Sequence, residues 1–479
     1  MFFRQFYDQG LAQASYLIGC QATGEAIVVD PLRDCAPYLE AAAAEGLRIT
    51  QVTETHIHAD FVSGARELAA ATGATLLLSA EGGDDWQYRY AAADGATLLH
   101  DGDTIVVGNI RLDVMHTPGH TPEHLAFVVT DTPRAAGPMG ILTGDFVFVG
   151  DVGRPDLLER AAGVANTMEA GARTLFHSLS RFRALPDHLQ VWPGHGAGSA
   201  CGKALGAVPS STVGYEKLSN WGVAETDAAR FVASVLEGQP EPPRYFAEMK
   251  RINRDGPPVL GQLAPLPAVS PVDAYRRAAA CWMIDLRPVA EAGLGLLPGA
   301  LSIPFSKAFS TYVGTLVPYD VDVLLLAPLG AGEAGATAVG TVPSVVRQAQ
   351  HALSLIGMDR VVGWIDVEAA AAHWQTQGAT LQPIQTVSVG ALASMAAEAV
   401  TVIDVRGASE WAAGHLPQAQ HIPLGALADA VVTLPTGPIV VQCQSGARSA
   451  IAASLLARLG RADVTSLAGG YVAWRAAQR

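Results

Sequence analysis

The stretch THIHADFVSG, at residues 55–64, brings together side chains that bind metals. His56 and His58 flank one isoleucine, and Asp60 follows two residues later. Imidazole nitrogens and carboxylate oxygens are suitable ligands for zinc, iron or manganese. A histidine at the next position would complete an H-x-H-x-D-H pattern for two metals, but the residue there is Phe61. Because phenylalanine has no lone pair to donate, a full second site of that kind cannot form.

Three further motifs in the first half of the chain supply candidate ligands. T-P-G-H ends at His120, T-G-D ends at Asp145, and P-G-H ends at His195. One isolated histidine in a loop is usually an ordinary polar residue. Four such motifs in this order, each at the end of an expected strand, instead favour a metal site.

A second kind of chemistry is indicated by PIVVQCQSGARSAIAASLLARLG. A β-rich run ends at Cys443, a glycine-containing loop follows, and an amphipathic helix is expected to begin near Ser449. Backbone N–H groups at such a helix start stabilise a thiolate and bound oxyanions, and Arg448 adds a cation. The spacing C-x5-R also occurs in protein-tyrosine phosphatases.

The elements that must position these residues alternate along the chain. ASYLIG, AIVVD and RITQVTET are typical of strands, and VSGARELAAATG is typical of a helix beginning after the histidine cluster. The pattern predicts an α/β arrangement that places the candidate ligands on loops at strand ends. A proline-rich stretch follows at residues 237–271, where we expect a short helix between linker segments.

Two segments of the second half repeat each other. IDLRPVAEAGLGLLPGALSIPF begins at Ile284, and IDVRGASEWAAGHLPQAQHIPL begins at Ile403. The matching residues keep one offset of 119 positions, since 404 − 285 = 119. They are Asp285 and Asp404, Arg287 and Arg406, Glu291 and Glu410, Pro298 and Pro417, Ile303 and Ile422, and Pro304 and Pro423. Two copies of one α/β domain are therefore predicted.

The first copy is predicted to lack sulfur chemistry. Ala327 or Pro328 follows its strand VDVLLLAP, at the place where the second copy has its cysteine. Gly330, Gly332 and Gly335 spell the G-x-G-x-x-G of a dinucleotide site, but no acidic residue follows about 20 positions on. We interpret this loop as degenerate and the copy as a scaffold without catalysis.

Composition limits the class of protein. The 479 residues suggest roughly three domains at about 150 residues each. A net charge of −14 without a basic stripe argues against nucleic acid and anionic membranes as partners. The N-terminal sequence does not have the pattern of a signal peptide, and no apolar run is long enough for a membrane span, so a soluble cytoplasmic protein is expected. The spacing of the five cysteines is not that of a disulfide framework. As a separate expectation, the protein is a homo-oligomer.

The four N-terminal motifs resemble those of the metallo-β-lactamase superfamily, and the repeats with the terminal LAGGYVAW resemble rhodaneses. Since Phe61 removes a ligand of the second metal, the resemblance narrows to persulfide dioxygenases, and the chain resembles a persulfide dioxygenase–rhodanese fusion. It implies an α/β multidomain fold: an N-terminal metallo-β-lactamase αββα sandwich followed by two rhodanese-like α/β domains with parallel sheets. The expected parts are a dioxygenase domain at 1–245, a proline-rich linker at 246–270, an inactive rhodanese-like domain at 271–380 and an active rhodanese domain at 385–479.

The resemblance also implies the roles of particular residues. One Fe(II) per chain would be held by His56, His120 and Asp145, an arrangement that leaves open positions for O2 chemistry. Cys443, with Arg448 nearby, would carry sulfur as a persulfide. Residues expected to support the ligands or the substrate are His58, Asp60, Arg154, His195 and Cys201.

Two of the supporting residues have alternative interpretations. Arg154, in GDVGRPDLLE, either steadies an anionic persulfide or thiol carrier or is a structural arginine. Cys201, six residues after His195, either accepts and shuttles a persulfide or is a small buried residue.

The implied activity is oxidation of low-molecular-weight thiol persulfides, such as those of glutathione or coenzyme A, by O2 to sulfite and free thiol. Cys443 would then pass its outer sulfur to sulfite to form thiosulfate, or work in the reverse direction. Fusion would keep sulfite near its acceptor. Two alternatives stay open: a zinc-dependent thioester hydrolase similar to glyoxalase II with an appended sulfurtransferase, and a sulfur-carrier or interaction protein whose metal domain is vestigial.

Overall fold

A computed structural model of the protein describes residues 1–160, 167–329, 342–396 and 399–478. The chain divides into two compact units, which comprise Met1–Leu263 with Ser354–Gly357 and Ala264–Leu353 with Met358–Arg479. In the described ranges, no helix combines the length and apolar character that a membrane crossing requires.

Two six-stranded sheets lie at the centre of the first unit. The first sheet follows chain order and consists of β1 (Phe2–Asp8), β2 (Gln13–Cys20), β3 (Glu25–Val29), β4 (Arg48–Thr53), β5 (Thr75–Ser79) and β6 (Thr97–Leu99). The second has the order β12-β11-β10-β9-β8-β7 and consists of β7 (Thr104–Val107), β8 (Ile110–His116), β9 (Leu125–Asp131), β10 (Gly140–Gly144), β11 (Gln190–Pro193) and β12 (Ser211–Thr212).

Each sheet of the first unit buries both of its faces. All eight residues of β2 are buried. Ile18 of β2 and Phe127 of β9 belong to one cluster between the sheets, whereas Leu17 packs outward beneath helices. Ile141 of β10 faces a third cluster that includes Leu175 on the opposite helical layer. The layers are therefore helix, sheet, sheet and helix, and the expected αββα sandwich is confirmed.

The helices of the first unit are α1 (Ala36–Ala44), α2 (Ala65–Thr72), α3 (Leu157–Arg160), α4 (Met168–Arg183), α5 (Val213–Ser219), α6 (Trp221–Ala224), α7 (Ala228–Leu236) and α8 (Phe246–Asp255). The last of these lies within the predicted linker, 246–270. Its Phe246, Met249 and Asn253 are buried on one face at helical spacing, so this part of the segment is packed structure of the first unit.

The second unit contains two parallel sheets, as the sequence predicts. One has the order β14-β13-β15-β16 and consists of β13 (Cys281–Asp285), β14 (Ala300–Ser302), β15 (Asp322–Ala327) and β16 (Val361–Asp366). The other has the order β17-β21-β20-β18-β19 and consists of β17 (Gln385–Val387), β18 (Thr401–Asp404), β19 (Ala419–His421), β20 (Ile439–Gln442) and β21 (Val464–Leu467).

Helices connect these parallel strands. They are α9 (Pro271–Arg277), α10 (Val289–Ala292), α11 (Phe309–Leu316), α12 (Ser344–Leu355), α13 (Val367–Thr376), α14 (Val389–Ala393), α15 (Ala408–Ala412), α16 (Leu427–Ala430), α17 (Ala447–Arg458) and α18 (Gly470–Ala477). Each sheet has its own apolar cluster, one with Met283 and Leu324 and the other with Val402 and Val440.

The internal repeat is visible in matching contacts. Arg287 Nη2 donates to Asp285 Oδ2 at 2.6 Å and to a glycine carbonyl eight residues later. Arg406 Nη2 makes the same pair of bonds, to Asp404 Oδ2 at 2.7 Å and to the carbonyl of Gly414. The carboxylates of both aspartates are fully buried, so the cation of the arginine stabilises a charge that would otherwise be costly.

Candidate metal centre and sulfur-transfer loop

The predicted metal ligands all follow strands of the first unit. His56 lies three residues after β4, His120 lies in the turn between β8 and β9, and Asp145 follows β10 directly. His195 comes two residues after β11. The strand ends bring these distant segments to one place.

His56, His120 and Asp145 form a compact donor group. One nitrogen or oxygen of each residue lies within 4.8 Å of those of the other two, and all three side chains are buried. The Asp145 Oδ2 atom is 3.5 Å from His120 Nε2 and 3.9 Å from His56 Nε2. The sequence predicted this set, and the structure brings it together.

The donor group fits a divalent metal. Both carboxylate oxygens of Asp145 are buried, and neither makes a well-aligned hydrogen bond within the described part of the chain. A buried anion without partners is costly, and a cation would remove that cost. Burial lowers the pKa of His56 and of His120, which keeps both imidazoles in the neutral form that binds metals. Two histidines and one carboxylate are the donors that non-haem iron uses.

Hydrogen bonds orient the predicted ligands. The Nδ1 atom of His120 lies 3.0 Å from the carbonyl oxygen of Arg154, so Nδ1–H donates and Nε2 keeps its lone pair. The Nδ1 atom of His56 lies 3.0 Å from Thr55 Oγ1. His124 Nε2 accepts a hydrogen bond from the backbone N–H of Asp145 at 3.1 Å.

His58 is turned towards a different carboxylate. Its Nε2 atom is 3.2 Å from Asp30 Oδ1. Burial disfavours the charged imidazole, but the charge and hydrogen bond of Asp30, together with the carboxylates of Asp60 and Glu54, outweigh burial and raise the pKa of His58 to about 9. Asp30 also accepts hydrogen bonds from the N–H and hydroxyl of Thr55, next to His56. Sequence reasoning missed Asp30, for which the only signal was an acidic residue at the end of AIVVD.

A second donor group adjoins the first. Asp60, His195 and Cys201 each place one donor atom within 4.8 Å of the others. His195 Nε2 is 3.3 Å from Asp60 Oδ2 and 3.4 Å from Asp145 Oδ1, so Asp145 faces both groups. Phe61 is fully buried, and its ring centroid is 4.4 Å from that of His58. Phe61 supplies no donor atom, and the third donor beside Asp60 and His195 is the thiol of Cys201, from a later loop.

The thiol of Cys201 is not a ready nucleophile in the protein alone. Its side chain is only 2 % exposed. Burial raises the pKa of Cys201 well above its usual range, and the carboxylates of Asp145 and Asp60 raise it further. Its sulfur is therefore protonated unless a cation or an incoming group changes its surroundings.

Arg154 is a positioning residue by its contacts. Its side chain is fully buried, and Nε and Nη2 each donate to Asp156 at 2.8 Å. Nη1 donates to the carbonyl oxygen of Ala200, beside Cys201. These contacts favour the structural interpretation over direct contact with a substrate, because the guanidinium already holds the loop that carries the thiol.

Replacing Arg154 with methionine is expected to lower the free energy of unfolding by about 3–5 kcal/mol, because it takes the cation away from the buried carboxylate of Asp156. Chemical denaturation measures the loss. The double variant with Asp156→Leu should recover most of it, since an apolar pair replaces the ion pair. A single variant as stable as the wild type would contradict this role.

The candidate sulfur-transfer loop, residues 443–446, begins where β20 ends. Cys443 follows Gln442 directly, and α17 begins four residues later. The Cys443 sulfur accepts a hydrogen bond from the N–H of Gly446 at 3.1 Å and lies 3.6 Å from Ser449 Oγ. The thiol therefore lies at the start of a twelve-residue helix, where backbone N–H groups favour negative charge.

The Arg448 cation beside this loop is held by a carboxylate. Its two terminal nitrogens donate to Glu410 at 2.6 and 2.7 Å. This pairing lowers the pKa of Glu410 and raises that of Arg448. The sequence contained a signal for this partner, because Glu410 is one of the residues shared by the two repeats.

The first copy has no thiol at the matching position. Leu326 pairs with Asp285 as Gln442 pairs with Asp404, so Ala327 corresponds to Cys443. The glycines of its G-x-G-x-x-G pattern, Gly330, Gly332 and Gly335, lie outside the described residues. Cys281 begins β13 and so lies at the other end of the sheet.

Comparison with known proteins supports this division. Residues 8–195 match the metallo-beta-lactamase superfamily, and residues 388–477 match the rhodanese-like domain. The crystal structure of a metallo-beta-lactamase from Staphylococcus aureus subsp. aureus COL is 41% identical, with a TM-score of 0.67, and the match covers 76% of this chain and 98% of that chain.

Two curated relatives each match less than half of this chain. Hydroxyacylglutathione hydrolase of Rhodospirillum rubrum is 32% identical over 180 residues, which are 38% of this chain and 60% of the hydrolase. The mitochondrial persulfide dioxygenase ETHE1 of Homo sapiens is 29% identical over 195 residues, which are 40% of this chain and 67% of the dioxygenase. These matches, with the αββα sandwich and the parallel sheets, show that the chain belongs to the metallo-beta-lactamase superfamily and that it also carries a rhodanese-like domain.

Proposed function

We propose that the protein oxidises low-molecular-weight thiol persulfides with O2 at a single Fe(II) and couples this reaction to sulfur transfer through Cys443. One combination of observations carries the proposal. The donor group of two histidines and one aspartate stands beside Phe61, which cannot serve a second metal of the two-zinc kind, and the same chain carries a cysteine loop suited to sulfur. Both relatedness to a persulfide dioxygenase and the rhodanese-like domain support it.

The chain's own residues have defined tasks in this proposal. His56, His120 and Asp145 would hold the iron, which supplies the O2 chemistry that protein side chains lack. The carbonyl of Arg154 keeps His120 in the tautomer that binds through Nε2. His56, His120, Asp145 and the neighbouring Phe61 are all buried, and this burial would limit the access of bulk water to the reacting groups.

Cys443 would act as the sulfur carrier. A persulfide on Cys443 transfers its outer sulfur to sulfite, which forms the new S–S bond of thiosulfate. The S–S bond to the enzyme breaks, and its electron pair returns Cys443 to a thiolate. The N–H of Gly446 and the start of α17 stabilise that thiolate. The reverse direction uses the same groups.

Reconstitution with Fe(II) under anaerobic conditions tests the proposal. On addition of glutathione persulfide or coenzyme A persulfide, the iron-loaded protein should consume O2 and release sulfite or thiosulfate. O2 uptake and the two sulfur products are measured together. A protein that binds one iron per chain but consumes no O2 with any persulfide would refute the dioxygenase.

A zinc-dependent thioester hydrolase, similar to glyoxalase II, is the second candidate. The second donor group of Asp60, His195 and Cys201 favours it, because it offers donors for another metal next to Asp145. The similarity to hydroxyacylglutathione hydrolases points the same way. Zinc-loaded protein that cleaves a glutathione thioester without consuming O2 would establish this function instead.

A further inference from the structure

One buried side chain of α8 fixes the loop that follows the first predicted ligand. Asn253 is 1 % exposed, and its Nδ2 donates to the carbonyl oxygens of His58 at 2.8 Å and Phe61 at 2.7 Å. Its Oδ1 accepts the N–H of Ser63 at 2.9 Å. The amide therefore uses both donor hydrogens and its acceptor on one stretch of backbone.

These three hydrogen bonds bracket Asp60. They fix the backbone two residues before it, one residue after it and three residues after it. The Asp60 carboxylate is buried and 3.3 Å from His195 Nε2, but it makes no well-aligned hydrogen bond to any described residue. Its position consequently depends on how the backbone around it is held.

A second contact holds the same loop. The N–H of Val62 donates to the carbonyl oxygen of Leu355 at 2.7 Å, within the first unit. Gly357 has a φ of +71°, and a Cβ atom there would lie 3.0 Å from Val62 Cγ2 and 3.0 Å from Ile252 Cδ1. The loop is therefore held by a segment almost 300 residues later in the sequence, and that segment leaves no room for a larger residue.

We propose that Asn253 is a positioning residue of the metal centre, which, together with the backbone of Leu355, holds the Asp60 loop in the geometry that binds a divalent metal. This rests on the metal centre of the proposed function but not on its O2 chemistry. Asparagine is suited to the task, because one planar amide supplies two donors and one acceptor. Aspartate lacks the donors and alanine lacks all three groups.

The full-length protein tests this with Co²⁺ as the probe metal. The variants Asn253→Ala and Asn253→Asp should bind Co²⁺ roughly 10–100-fold more weakly than the wild type, the usual cost of losing a partner behind metal ligands. Affinity is measured by competition with a chelator, and the visible spectrum of bound Co²⁺ reports the changed ligand geometry. Amide hydrogen exchange at Val62 and Ser63 should become faster in Asn253→Ala, which also removes the acceptor of the Ser63 N–H.

Asn220→Ala is the matched control. Asn220 is also buried in the first unit, where it donates to the carbonyl oxygens of Phe148 and Asp151 and accepts the N–H groups of Gly222 and Val223 at the start of α6, and none of these groups lies on the Asp60 loop. It should lose stability while keeping the Co²⁺ affinity of the wild type. Gly357→Ala, which crowds Val62 from the other side, should weaken Co²⁺ binding as the Asn253 variants do.

Two results would overturn the proposal. One is a folded Asn253 variant that binds Co²⁺ as tightly as the wild type. The other is an Asn220→Ala control that loses as much affinity, since the effect would then follow general stability. If Asn253→Ala does not fold, the Co²⁺ affinities of Asn253→Asp and Gly357→Ala test the proposal instead. Weakened Co²⁺ binding in a protein that never consumes O2 would sustain this inference while refuting the dioxygenase.

Discussion

Serine in place of Cys443 is expected to lower the rate of thiosulfate formation by roughly 1000-fold or more, while O2 consumption at the metal centre continues. The serine oxygen cannot hold a transferable outer sulfur, so sulfite made in the first unit would accumulate. The loop itself should persist, because serine keeps an acceptor for the N–H of Gly446. Ion chromatography of sulfite and thiosulfate, with O2 uptake recorded in the same sample, measures both effects.

Cys281→Ser is the control for this prediction. Cys281 is another buried cysteine of the second unit, but it begins β13, whereas the position matching Cys443 is Ala327, at the far end of the neighbouring strand β15. It should form thiosulfate as the wild type does. Undiminished thiosulfate from the Cys443 variant would show that a different sulfur carrier works in this chain.

Replacing Asp145 with asparagine is expected to have the largest effect on the first unit. The carboxylate faces His56 and His120 through Oδ2 and His195 through Oδ1, so its charge is central to both donor groups. Iron content and metal-dependent activity should fall by more than the roughly 10–100-fold that supporting residues cost. Elemental analysis after reconstitution and O2 uptake measure the two losses.

The same Asp145→Asn substitution that weakens iron binding should stabilise the metal-free protein against unfolding. The carboxylate of Asp145 is buried and makes no well-aligned hydrogen bond among the residues that the structure describes, so the neutral amide removes a desolvated charge and should raise the unfolding temperature of the metal-free variant. Asp113→Asn, on β8 where the carboxylate pairs with Arg111, is a control that should retain iron. An Asp145 variant with full iron content would exclude this residue as a ligand.

The sequence predicted those parts of the site that are written as short motifs. His56, His120 and Asp145 each follow the end of a strand, and loops at strand ends can bring together motifs that lie far apart in the sequence. The offset of 119 residues likewise predicted two similar parallel sheets. Both inferences depend on local patterns, which a sequence displays directly.

The roles of residues that act through packing could not be predicted from local sequence patterns. Arg154 had two interpretations until its burial and its pairing with Asp156 favoured one of them. Cys201 reaches the second donor group from a loop without a regular pattern, and Asn253 acts on a loop about 190 residues before it. Such contacts depend on how helices and loops fold back over the strands, which periodicity does not reveal.

The two copies in the second unit separate what folding requires from what catalysis requires. Both copies keep the buried aspartate–arginine pair, which fixes the strand end whether or not any chemistry follows. In the second copy, Arg406 Nη1 also donates to Gln444, beside Cys443. After duplication, one copy could lose its thiol without losing its architecture. The chain thus contains its own comparison between a fold that carries a thiol at this strand end and a similar fold that does not.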